Sequence, residues 1–185
     1  MSGGSVRRVW LAALATTLAC GGAREPVQPN PDGQVEVRPS APWSAAPLDA
    51  GEVPVTYVAQ WRAADNRESC ALIAPITVEP ANATPRAASF SGGWAVAYDT
   101  PEQRSAFGVA GAGVSATGDV YDEWPHRIEW ADGSSAGYGP EGGTGPNQLA
   151  YLRIAGQDCL YNVWSRLGVE HLETLLGRLR FVEAS

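Results

Sequence analysis

Two runs of alternating character, residues 149–154 and 159–164, flank the tetrapeptide Ala155-Gly156-Gln157-Asp158. Alternation over six residues, rich in aromatic and β-branched side chains, marks a strand, and a short glycine-containing connection marks a hairpin. One face of the first run carries Leu149, Tyr151 and Arg153, and the other carries Ala150, Leu152 and Ile154. The period then changes. Val169, Leu172, Leu175, Leu176 and Leu179 recur at helical spacing after Gly168. Glu170 stands in the first turn and Arg178 and Arg180 at the other end, as the helix dipole favours. A helix with a single leucine face needs a sheet to bury it. The expected class is therefore α+β, an antiparallel sheet with an amphipathic C-terminal helix packed on one face.

Further strands are expected upstream. Trp94, Val96 and Tyr98 alternate with Ala95 and Ala97 until Asp99-Thr100-Pro101 stops the run. Thr100, Pro101 and Gln103 supply the cap, first-position proline and capping-box partner of a short helix reaching Phe107. Residues 128–130 read as a strand, with Asp132-Gly133 turning back through Ser134 towards Tyr138. Residues 70–76 form another apolar strand candidate. Residues 137–146 hold five glycines and two prolines and read as a loop.

The N-terminal region is of another kind. Arg7 and Arg8 precede an apolar stretch, residues 9–18, with small residues before Cys20. That is the layout of a secretory signal, and the stretch is too short for a stable membrane span. Thr17-Leu18-Ala19-Cys20, followed by Gly21-Gly22, resembles the lipobox of bacterial lipoproteins. The resemblance implies cleavage before Cys20 and acylation of that cysteine. Because Gly21 is not an aspartate, it also implies sorting to the outer membrane, with the envelope as the compartment. More than one acyl chain gives stable anchoring. Seven prolines lie between Gly21 and Pro54. Such composition reads as a solvated tether, with Trp43 incidental within it. The expected organisation is a signal peptide over 1–19, a lipidated Cys20 with a Pro-rich disordered tether over 20–54, and one globular domain over 55–185. With Cys20 acylated, Cys70 and Cys159 remain as a pair, the number needed for one disulfide in an oxidising compartment.

Charge and composition exclude several functions. All 13 basic residues are arginine, against 20 acidic ones, for a net charge of −7. Without lysine there is no P-loop lysine, no Schiff-base lysine and no kinase-type lysine. The acidic balance also argues against nucleic acid as a partner. His126 and His171 are the only histidines. No HExxH or cysteine pair at ligand spacing accompanies them, so no metal and no cofactor are expected.

Three patterns invite a functional reading. Gly137-Tyr138-Gly139-Pro140-Glu141-Gly142 spells a dinucleotide fingerprint, but the Gly/Pro segment after it cannot begin the required helix. Gly133-Ser134-Ser135-Ala136-Gly137 matches a nucleophile elbow, with Asp158 and His171 following in α/β-hydrolase order. It provides an alternative reading as a small hydrolase using Ser135. The third is aromatic. Tyr121, Trp124, Trp130 and Tyr138 are the candidate lining of a ligand groove, beside acceptors at Asp119, Asp122 and Glu123. The leading expectation is a lipid-anchored envelope protein with a binding or structural role rather than a catalytic one. Its partners would be the membrane, through the anchor, and an envelope protein, peptide or glycan.

Overall fold

A computed structural model describes residues 35–90, 92–112, 124–143 and 146–184. The signal segment 1–19, Cys20 and Tyr121 lie outside the described residues. Residues 35–54, expected in the tether, belong to the fold. They form β1 (Val35–Arg38), a first 3-10 turn (Pro42–Ser44), β2 (Leu48–Asp49) and a second 3-10 turn (Ala50–Glu52). The prolines are compatible with this because they stand between elements or open them, where a missing N–H costs nothing. Pro42 begins the first 3-10 turn, and Pro54 is the N-cap of α1 (Val55–Ala63). Trp43 anchors the segment. It is 4% exposed, its indole N–H donates to Asp132 Oδ2 at 3.0 Å, and its ring meets Trp130 edge-on at 4.9 Å.

The remaining elements are β3 (Ile73–Pro75), β4 (Thr84–Ala87), β5 (Trp94–Asp99), β6 (Phe107–Ala112), β7 (His126–Trp130), β8 (Ser135–Pro140), β9 (Gln148–Arg153), β10 (Leu160–Ser165), α2 (Val169–Gly177) and β11 (Leu179–Glu183). Among the described residues an eight-stranded sheet runs in the order β1-β7-β8-β9-β10-β6-β5-β4, and a three-stranded one in the order β2-β11-β3. Pairing is antiparallel except for β1 with β7 and β2 with β11. The sheets are thus mixed but largely antiparallel, strands dominate, and α2 packs against β10 and β9.

The hairpin expected near the C-terminus is β9–β10, pairing Leu160 with Arg153 and Ser165 with Gln148. Leu172, Leu175 and Leu176 form the buried stripe of α2. The helix ends sooner than its leucine spacing suggests. Gly177 is its last residue, and Leu179 opens β11 opposite Pro75. The short helix expected before Phe107 is instead a turn. The Gln103 N–H donates to Thr100 Oγ1 at 3.1 Å and the Thr100 N–H to the Gln103 carbonyl at 2.9 Å. Phe107 and Val109 are needed on one face of β6, which draws the chain into extended structure. The glycines expected in a loop after residue 136 lie partly in β8, because a neighbouring element needs their missing side chains. A Cβ on Gly139 would come 2.5 Å from Pro125 Cγ.

The core lies on one face of the large sheet. Trp94, Val96 and Tyr98 from β5, Phe107 from β6, and Tyr161 and Val163 from β10 meet α1, α2 and the smaller sheet there. Cys70 and Cys159 are joined by a disulfide with their Cα atoms 5.0 Å apart, and both are fully buried. The Tyr161 hydroxyl donates to the Ala71 carbonyl at 3.0 Å beside it. Burial pushes that phenol well above the usual tyrosine range, against the smaller opposing effect of this bond.

Candidate functional site on the outer sheet face

The opposite face of the sheet is built from small residues. Strand side chains alternate, so the positions between the core residues of β5 and β6 are Ala95, Ala97, Gly108, Ala110 and Ala112. Register aligns them in rows. Trp164 stands between Leu149 and Gly108, with Ala97 beyond, and Asn162 stands between Tyr151 and Ala110, with Ala95 beyond. Large side chains beside a floor of alanine and glycine leave a concavity. The Trp164 indole reclines over Gly108, where a Cβ would collide with the ring.

The result is a groove of about 380 Å³. Trp164, Tyr151, Leu149 and Phe90 give it apolar surface, and Asn162, Asn147, Glu141 and Arg166 give it polar groups. The three first-named side chains are half-buried, and Phe90 is 37% exposed. Asn162 is 5% exposed. Asn147 donates through Nδ2 to the Glu141 carboxylate, while the Glu141 N–H donates to the Asn147 carbonyl at 2.8 Å. Among the described residues Asn147 Oδ1 is buried without a partner. Buried amide groups are normally paired, so Asn147 Oδ1 offers capacity that the described residues do not use.

The rim of the groove is rigidly held. Arg86 Nε donates to both oxygens of Asp99, at 2.8 and 3.0 Å, and Arg86 Nη2 contacts Ser105 Oγ. The Ser105 N–H donates to Asp99 Oδ1 at 2.7 Å. That backbone bond, with Arg86 beside it, holds the Asp99 carboxyl below the usual carboxylate range. An apolar surface with a few fixed donors and acceptors is the general form of a small-ligand site. No family model, curated protein or solved structure matches the chain. Its own geometry is therefore the basis for a functional reading.

The aromatic quartet expected from the sequence does not form one groove. Trp130 and Tyr138 are 3% and 4% exposed and point to the core face, because each shares strand parity with buried neighbours such as Ile128 and Ala136. Trp124 lies on the outer side over Gly139, with its ring edge-on to Tyr151 at 5.4 Å. It touches the groove through Tyr151, which lines it. The Tyr138 hydroxyl donates to Glu173 Oε1 at 2.7 Å, and its ring stacks on His126 at 5.0 Å. Burial, followed by the Glu173 bond, pushes that phenol far above its ordinary value.

The Ser135, Asp158 and His171 arrangement is not assembled either. Ser135 pairs with Glu129 and Arg153 on the outer parity of β8, whereas His171 belongs to α2 on the core face. His171 Nδ1 lies 3.0 Å from Ser165 Oγ, and Nε2 lies 2.7 Å from the Glu79 carbonyl. With the proton on Nε2, the ring donates to Glu79 and accepts from the Ser165 hydroxyl. That hydroxyl also accepts from the Leu167 N–H at 3.0 Å, and Ser165 is fully buried. The cluster staples α2 to β10 and to the segment carrying Glu79. Among the described residues no three His, Cys, Asp or Glu side chains come together to hold a metal ion.

Sequence reasoning did not single out Trp164, Tyr151 and Asn162 as a site. The available signal was parity. Small residues alternating with large ones in both β5 and β6 mark a face over which neighbouring strands can lay larger side chains.

Proposed function

We propose that the chain is a lipid-anchored protein of the bacterial cell envelope, attached at the outer membrane through Cys20, whose α+β domain binds a glycan in the Trp164 groove. One observation carries the binding reading. An indole and a phenol border a floor of alanine and glycine, with the nearly buried Asn162 side chain between them. A pyranose presents flat C–H faces to aromatic rings and hydroxyls at its edge, and this groove supplies partners for both. Glu141 and Arg166 at the periphery add a charged acceptor and a charged donor. The anchor rests on the sequence around Cys20. Among the described residues no helix is long and apolar enough to cross a membrane.

The binding test is calorimetric titration of the Cys20→Ala protein with a panel of soluble oligosaccharides. Saturable binding to at least one is expected. Trp164→Ala should weaken it about 30-fold, the roughly 2 kcal/mol of a central aromatic contact. Equal affinity for wild type and variant would remove the groove from the account. For the anchor, Cys20→Ala should release the protein from the membrane fraction, and retention there would contradict acylation at that residue.

A further inference from the structure

A second pocket, on the other side of the molecule from the Trp164 groove, is lined by two arginines. It measures about 430 Å³ and lies among β1, the first 3-10 turn and the end of α2. Its lining includes Arg38, Arg180, Ser40, Ser44, Trp130 and Gly177, and no carboxylate side chain. In a chain with 20 acidic residues against 13 arginines, two guanidiniums facing one cavity without an acid need an explanation. We propose that this pocket binds the oxyanion of a small ligand, a carboxylate or a phosphate group, between Arg38 and Arg180.

The donors have capacity to spare. Arg38 uses Nε and Nη2 in a fork to Glu36, at 2.8 and 3.0 Å, which leaves Nη1. Glu36 is exposed beside it and neutralises one positive charge without lining the cavity. Arg180 makes no ion pair among the described residues. Its Nη1 donates to the Leu179 carbonyl at 2.8 Å, leaving the rest of the guanidinium for a ligand. Ser40 and Ser44 are exposed hydroxyls at the mouth. Trp130 forms the inner wall, and its indole N–H is buried without a partner among the described residues, an arrangement that native proteins rarely leave unsatisfied. One effect opposes an anion, since Gly177 ends α2 and a helix C-terminus carries roughly half a negative charge. The carbonyls of Leu175 and Leu176 there already accept from the Arg178 N–H. The Glu36 and Glu173 carboxylates both act on Arg38, so Arg180, which makes no ion pair among the described residues, is the principal charge offered to an anion. Arginine is suited to the task because its planar fork matches carboxylate and phosphate oxygens in pairs.

The test is a titration of the isotope-labelled Cys20→Ala protein at constant ionic strength, one arm with inorganic phosphate and the other with acetate, following the Trp130 indole ¹H–¹⁵N signal. A saturable shift in either arm is expected, and the arm that saturates identifies the anion. Arg180→Gln should weaken binding at least tenfold, with Arg180→Lys intermediate, while Trp164→Ala leaves it unchanged. A linear, non-saturating response in both arms would overturn the proposal. So would equal affinity in wild type and in a folded Arg180→Gln protein. Because the Trp164 groove plays no part in this site, failure of one reading leaves the other standing.

Discussion

Replacing Trp43 tests whether the segment before α1 is part of the folded unit. The side chain is 4% exposed, and a buried tryptophan removes about 150–250 Å² from water. At about 25 cal/mol per Å² that is about 4–6 kcal/mol, an upper value because the unfolded chain is not fully extended. Measured large-to-small truncations of aromatic residues fall at about 3–5 kcal/mol, so Trp43→Ala should cost about 4 kcal/mol. Trp43→Phe keeps a ring against Trp130 but loses the bond to Asp132 Oδ2. Asp132 is exposed and regains water when the indole N–H goes, so the Phe variant should lose only about 1–2 kcal/mol. Urea denaturation with intact disulfide measures both. With a slope of about 2 kcal/mol per M, Ala lowers the midpoint by about 2 M and Phe by less than about 1 M. A Trp43→Ala midpoint within about 0.2 M of wild type, well below the shift this slope implies, would refute the burial of Trp43 and return residues 35–54 to the tether.

Further outcomes follow from other contacts. The Cys70–Cys159 disulfide closes a loop of 89 residues, for which the chain-entropy relation gives about 4–5 kcal/mol. Reduction, or a double serine substitution, should lower the urea midpoint accordingly, and a loss under about 1 kcal/mol would contradict a cross-link that restrains the unfolded chain. Gly108→Val places a side chain against the Trp164 indole, so it should lower both stability and saccharide affinity. Unchanged affinity in a folded variant would mean that the indole is not seated there. Asp99 titrates below an unfolded aspartate, so its contribution is present above the unfolded value and is lost as pH falls through the folded one. Asp99→Asn should therefore flatten the acid limb of urea midpoints measured from pH 5 down to pH 2. Ser165→Ala leaves His171 Nδ1 and the Leu167 N–H without their shared partner. It should cost about 1–3 kcal/mol in the same assay.

Periodicity carried much of the local structure. The β9–β10 hairpin and the leucine stripe of α2 stand where alternation and helical spacing put them, because both elements have a single buried face. Where two signals competed, packing decided. Thr100 and Gln103 have the chemistry of a helix cap, yet they close a turn because β6 needs Phe107 in an extended chain. Leu179 fits the helical period, yet it pairs with Pro75 in the smaller sheet. Prolines made residues 35–54 look unstructured, and one tryptophan seated on Trp130 reverses that reading. No local pattern announces that residues 89 positions apart, Trp43 and Asp132, are hydrogen-bonded.

The site was legible only in part. Aromatic abundance pointed to a ligand surface, but Trp130 and Tyr138 face inward while Trp124 and Trp164 lie on the outer face. Strand parity separates them, and parity depends on strand limits that glycine-rich segments such as β8 obscure. The disulfide was inferred from compartment and cysteine number, and the fold brings its two cysteines together.

The most direct test of the central claim is an NMR titration of the Cys20→Ala protein with an oligosaccharide that binds it. The account predicts saturable shifts at the Trp164 indole and the Asn162 side-chain amide, while the indole signals of buried Trp43 and Trp94 stay in place. Saturable binding that leaves Trp164 and Asn162 unperturbed, or no binding across the oligosaccharide panel, would contradict it.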